Sequence, residues 1–210
     1  MYLLFDIGGT KMRFAFSENG ISFEEPRIIS TPKNFAEAVE VFHNAGRELA
    51  RGRKIRLACG GITRALVSGD HSLIDPLHRK NEIEAFRQEC EKKIGAPVFF
   101  ENDSAVCGLG EAVYGAGRGN KIVAYMTVST GVGGARVVNG RIDESSLGFE
   151  PGYQILDMPH SFRPQLNREG NLQGFVSGYA LEKRFGRKPK EIIDSNIWEE
   201  LAGELAYGLN

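Results

Sequence analysis

A strand, a tight glycine-containing turn and a second strand occur twice in this chain, at residues 2–17 and again at residues 121–138, about one domain apart. The first turn reads DIGGTK, from Asp6 to Lys11, and the second lies in TVSTGVGG, from Thr127 to Gly134. Duplication of this kind is expected of two related halves that enclose a cleft, each lending it one hairpin. The local patterns agree. Tyr2 to Asp6 is a short apolar run, and Lys11 to Ser17 sets Met12, Phe14 and Phe16 against Lys11, Arg13 and Ala15, the period of a half-buried strand. Asn19-Gly20 and Asn139-Gly140 then supply hairpin turn chemistry.

Glycine lets backbone amides approach an anion closely, so both turns suit phosphate groups. In the first, Thr10 adds a hydroxyl donor and Lys11 a cation, while Asp6 is placed to hold a hydrated Mg²⁺ that shields the phosphates. The GxxxxGKS/T spacing of a Walker loop is absent, and a plain β-hairpin also accounts for the same residues. A third feature sits between the turns. In FENDSAV, residues 100–106, an apolar strand ends in a carboxylate, an amide and a second carboxylate before a helix. Asp103 there suits either of two roles: capping the helix, or taking the proton from a hydroxyl.

The remaining patterns fill in an α/β chain. Phe35, Val39, Phe42 and Leu49 recur at helical spacing; residues 55–59 read as a strand ending at Gly60-Gly61; residues 82–94 read as an amphipathic helix; and residues 98–100 read as another strand. Residues 104–114 read as a helix, and GAGRGN, residues 115–120, is the expected hinge between lobes spanning 1–117 and 118–210. Residues 158–172 lack periodicity and read as loop, and helices follow near 180–185 and from 197 onward.

With 26 Lys and Arg against 27 Asp and Glu among 210 residues, the net charge of -1 provides no global field for nucleic acid or an anionic membrane. Small molecules are the expected partners. Cys59, Cys90 and Cys107 are far apart, without a CxxC pair, and no apolar run approaches the roughly 20 residues that span a bilayer, so the expected location is cytoplasmic. His43, His71, His78 and His160 lack metal-binding spacing, and Cys107 reads as a small buried filler. The basic run Arg47, Arg51, Arg53, Lys54 and Arg56 reads as a solvated helix end.

DIGGTK, FEND and TVSTGVGG, in that order and separation, make the chain resemble the ROK family of bacterial sugar kinases and repressors, glucokinase-like members of the actin and hexokinase superfamily. SSLGFEPGYQ resembles that family's GxxGEIGH segment, and NLQGFVSGYALEKRFG its LExxxSGxAL helix. The resemblance implies a ribonuclease-H-like (actin-like ATPase) α/β fold in two lobes and the ATP- and Mg²⁺-dependent phosphorylation of a hexose or hexose derivative. It assigns Asp103 as the general base. Asn102 and Glu150, with Gln173 and Gly61, would meet the sugar, and Asp6, Gly8, Gly9, Thr10, Lys11, Thr130, Gly131 and Gly133 would hold the nucleotide phosphates, Asp6 binding Mg²⁺ through water.

The departures from the family pattern shape further expectations. The zinc-ligating His of the family is Tyr153 here, and no cysteine follows Cys107, so no zinc site is expected. The family's second sugar-binding Glu aligns with Gln173, and its GxPG loop reads Gly60-Gly61-Ile62-Thr63. Family members continue beyond the helix matched by residues 201–210 into a strand, an adenosine-supporting loop and a last helix. The second lobe is therefore expected to be incomplete, with the apolar stripe of Trp198, Leu201, Leu205 and Leu209 uncovered and favouring a homodimer. Against the kinase stand a non-catalytic sugar-binding form and a ROK-type regulator, whose winged helix-turn-helix would precede the strand that starts here at Tyr2.

Overall fold

The computed structural model of the protein describes residues 1–63, 76–143, 149–156 and 170–209. Their contacts group into two compact units, Met1–Val106 and Cys107–Asn210.

In the first unit, β1 (Tyr2–Ile7), β2 (Lys11–Ser17), β3 (Arg27–Ser30), β4 (Leu57–Ile62) and β5 (Val98–Asn102) form one sheet in the order β3-β2-β1-β4-β5. The glycine turn forces β2 back antiparallel to β1, whereas β4 and β5 run parallel to β1 and therefore need crossovers. Helices α1 (Phe35–Ala50) and α2 (Pro76–Ile94) supply them. Helix α1 begins where Asn34 accepts the N–H of Glu37 at 2.8 Å, and stops where Arg51 and Gly52 turn left-handed.

The alternation in β1 sends Leu3, Phe5 and Ile7 into the core, where they meet Phe14, Phe42 and Phe86. Ring pairs bind the layers. Phe5 meets Phe42 and Phe100 edge-on, each at 5.2 Å, and Phe86 stacks on Phe100 at 5.6 Å.

Strand β4 differs from the sequence expectation. It starts at Leu57 and runs through Gly60 and Gly61 to Ile62, rather than ending at the glycine pair. The glycines are strand residues because their neighbours leave no room. A Cβ on Gly60 would stand 1.8 Å from the carbonyl oxygen of Phe5, and one on Gly61 would stand 2.9 Å from Cα of Asp103. What reads as turn chemistry is here close approach.

In the second unit, β6 (Ile122–Val128), β7 (Val132–Val138) and β8 (Arg141–Ile142) make an antiparallel sheet. A short 3-10 turn at Pro151–Tyr153 follows, then α4 (Leu172–Val176), α5 (Gly178–Phe185) and α6 (Ser195–Leu209). Val132, Leu172, Val176, Leu181 and Leu201 form the core. Gly208 fits against Leu172, where a Cβ would meet Leu172 Cδ1 at 2.7 Å.

Helix α3 (Asp103–Val113) contains the division between the units, at Val106 and Cys107, and residues 115–120 belong to the second unit. There Gly117 leaves only 2.8 Å between a would-be Cβ and Val123. Cys107, expected buried, is exposed. Of the C-terminal stripe, Leu201 is buried and Leu205 packs beside it, whereas Trp198 and Leu209 stay exposed; helix α6 spends part of its apolar face on α4.

Candidate active site

The first group of candidate residues lies at the ends of the parallel strands. Register places Asp6 of β1 beside Gly61 of β4, and Gly61 beside Glu101 of β5; one step on, Ile7, Ile62 and Asn102 are level. The chain then enters α3 without a break, so Asn102 is the last strand residue and Asp103 the first helical one. Asn102 Oδ1 accepts the N–H of Ala105 at 3.0 Å, which is the helix-capping bond. The capping role open to Asp103 thus belongs to its neighbour. Asp103 Oδ1 accepts the N–H of Ser104 at 2.8 Å, a bond that orients the carboxylate and leaves Oδ2 outside it.

The first glycine turn is held from two directions. Gly8 N–H donates to the Lys11 carbonyl at 2.9 Å, and Thr31 clamps the turn from β3's end, its hydroxyl donating to Gly8 O at 2.7 Å and its N–H to Thr10 O at 3.1 Å. These bonds use none of the N–H groups of Gly9 and Thr10. Around Gly9 there is open space, and Gly9, Thr10 and Lys11 are exposed. Asp6 is not bare: Arg13 Nη1 donates to Asp6 Oδ2 at 2.6 Å, across the antiparallel pair Asp6 and Arg13. Nearby in β4, burial pushes the Cys59 thiol up, so it stays protonated at neutral pH and offers no nucleophile.

The second group lies within the second unit. Its turn comprises Ser129, Thr130 and Gly131; Gly133 and Gly134 are inside β7, opposite Thr127 and Met126, and not in the turn. Ser129 N–H donates to Gly131 O at 2.8 Å, Gly178 N–H to Ser129 O at 2.7 Å and Tyr179 N–H to Thr130 O at 3.2 Å. Gln173, near the start of α4, accepts the Val132 N–H through Oε1 at 2.9 Å. Glu150 leads into the 3-10 turn, whose Gly152 lies against Val132, a Cβ there falling 2.3 Å from the Val132 carbonyl oxygen. Packing thus brings Gly131, Glu150 and Gln173 around the start of β7.

Sequence reasoning missed Arg13 and Thr31. Arg13 has a signal in hindsight, since the hairpin puts it opposite Asp6; Thr31 has none, being 23 residues from the glycine it holds. No three His, Cys, Asp or Glu side chains gather as metal ligands among the described residues, and His71 and His160 lie outside those residues. Among the described residues no helix is long and apolar enough to cross a membrane.

Comparison with known proteins identifies a family. A family model described as the ROK family matches residues 2–205. An N-acetylgalactosamine kinase of a Shewanella species is 25% identical over 212 residues, covering 94% of this chain and 68% of the relative. A glucokinase of Thermotoga maritima is 32% identical over 117 residues, covering 55% of this chain and 36% of the relative. The chain thus spans between about a third and two thirds of the length of these curated relatives. The crystal structure of a ROK hexokinase from Thermus thermophilus superimposes with a TM-score of 0.75 at 26% identity, over 99% of this chain and 75% of that one.

Proposed function

The chain belongs to the ROK family, in the actin-like ATPase fold, and from that premise we propose that it serves the ATP-dependent phosphorylation of a hexose or hexose derivative. The observation that carries the reading is the division of labour at the end of β5. Asn102 caps α3, so Asp103 stands in the first turn with a carboxylate oxygen outside the capping network.

In the proposed reaction a sugar hydroxyl oxygen forms a bond to the γ-phosphorus of ATP as the bond to the β,γ-bridging oxygen breaks and ADP departs. Asp103 accepts the hydroxyl proton. Asn102 and Glu150 hold sugar hydroxyls, and the turns at Gly8–Gly9 and Thr130–Gly131 hold the phosphates with backbone N–H groups and Lys11. Mg²⁺, when bound, would neutralise charge on the phosphates. It keeps most of its waters, so the single carboxylate of Asp6 fits a water-mediated role, and that carboxylate is shared with Arg13.

The Asp6–Arg13 pair favours one second reading, a sugar-binding protein without turnover, because the carboxylate assigned to Mg²⁺ already has a cation. A coupled ADP-release screen across glucose, fructose, mannose and N-acetylated hexosamines, with and without Mg²⁺, separates the two. Sugar-dependent ADP release that needs Mg²⁺ supports the kinase. Sugar binding by calorimetry with no ADP release from any of these sugars would sink it in favour of the second reading.

A further inference from the structure

We propose that Gln173 is a positioning residue for the second phosphate turn, setting the shape of the turn through Val132 rather than serving the sugar. The inference rests on the reading of that turn as a phosphate site.

The turn's own carbonyls come first. Those of Ser129, Thr130 and Gly131 are taken by the N–H groups of Gly178, Tyr179 and Ser129. In a trans peptide the N–H points opposite to the carbonyl it is joined to. With the Ser129 and Thr130 carbonyls turned toward the start of α5, the N–H groups of Thr130 and Gly131 face away from it, and among the described residues nothing takes them. The next N–H along, that of Val132, is joined to the Gly131 carbonyl, which turns to the Ser129 N–H instead, and Gln173 Oε1 accepts it at 2.9 Å.

Gln173 is well placed to impose this. Its predecessor Leu172 is fully buried, and Asn171 caps α4 by accepting the N–H of Gly174 at 2.9 Å, so the backbone that carries the amide is fixed. On the other side of Val132, Gly152 closes on the carbonyl oxygen. Val132 is therefore hydrogen-bonded at its N–H and closely packed at its carbonyl. Gly131 lies close as well: a Cβ there would stand 2.6 Å from Gln173 Oε1, so a larger residue would displace the amide from its bond to Val132.

The side chain's acceptor separates this role from sugar contact. Gln173→Met keeps the length and removes the acceptor; Gln173→Glu keeps an acceptor for the Val132 N–H. Amide hydrogen exchange at Val132, with calorimetric titration of tripolyphosphate, ATP and the sugar found active in the screen, reads both. In Gln173→Met we expect faster Val132 exchange and tripolyphosphate binding weakened by about tenfold, the scale of one lost hydrogen bond, with sugar affinity unchanged. In Gln173→Glu the Val132 amide is protected as in the wild type. Wild-type exchange and tripolyphosphate affinity in Gln173→Met, or a loss confined to sugar affinity, would overturn the positioning role while leaving the kinase reading intact. Failure of the wild type itself to bind tripolyphosphate and ATP would remove the phosphate site, and with it both readings.

Discussion

Cα of Asp103 lies so close over Gly61 that a single methyl group on the glycine would stand 2.9 Å from it. The start of α3 therefore rests directly on β4, and the position of the proposed base is set by the absence of a side chain two strands from Asp6's partner β2. Gly61→Ala should push Asp103 away, at a stability cost of about 1–3 kcal/mol for overpacking. Since a misplacement of about 1 Å can cost about 10²-fold in rate, turnover should fall by about that factor while the protein still folds. Thermal melting beside the ADP-release assay checks this, and normal turnover in Gly61→Ala would show that Asp103 need not rest there. Gly60→Ala is the contrasting variant. Its Cβ would collide with the Phe5 backbone, so loss of folded protein is expected instead.

Substitution can separate the observed cap made by Asn102 from its proposed contact with the sugar. Aspartate can cap a helix as asparagine does but lacks the amide's N–H donors. Asn102→Asp should keep the melting temperature and weaken sugar binding. Asn102→Ala should do both harms, with about 1 kcal/mol lost from the cap. Equal sugar affinity in Asn102→Asp and the wild type would leave Asn102 with the cap alone.

Asp103→Asn should remove turnover while sparing sugar binding, because in the proposed reaction the general base acts as the bond forms whereas Asn102 and Glu150 would serve the ground state. The expected loss in kcat is about 10²-fold to 10⁴-fold. A pre-steady-state measurement excludes slow product release as the cause. A variant that turns over nearly as well as the wild type removes Asp103 from the role.

The three cysteines should react in an order set by exposure and thiolate character. Cys107 is exposed, Cys59 is half-buried and held protonated by its surroundings, and Cys90 is buried, with its thiol pushed up by burial and by the Glu89 carboxylate. Brief alkylation of the folded protein, read by mass spectrometry, should mark Cys107 first and leave Cys90 unmodified until denaturant is added. Early labelling of Cys90 would contradict the packing of α2 on the sheet.

Much of the first unit was legible in the sequence because its signals are local. The alternation in Lys11–Ser17 and the helical spacing from Phe35 needed no tertiary information, and β2 and α1 formed where they pointed. Gly60-Gly61 misled because glycine marks both turns and close contact, and only the positions of Phe5 and Asp103 decide between them. The same ambiguity affected Gly134, where Pro151 approaches the strand. Asp103 was singled out correctly as lying at a strand-to-helix junction, but which of two adjacent residues caps the helix depends on a boundary one residue wide. The Gln173–Val132 bond joins residues 41 apart, and no local pattern announces it.

The final prediction concerns Arg13, which competes for the carboxylate assigned to Mg²⁺. Both members of the Asp6–Arg13 pair are about half exposed, so the pair should contribute well under about 1 kcal/mol to stability, and Arg13→Ala should melt close to the wild type. Its electrostatic effect on the site is larger than its structural one. Removing a cation bonded to Asp6 at 2.6 Å leaves the carboxylate more attractive to a hydrated divalent ion, so less Mg²⁺ should be needed for half-maximal activity. Asp6→Asn should shift the requirement the other way. Titration of activity with Mg²⁺ at fixed ionic strength checks the sign. If Arg13→Ala instead needs more Mg²⁺, then Arg13 orients Asp6 for the metal rather than competing with it, and the half-exposed ion pair is a working part of the site.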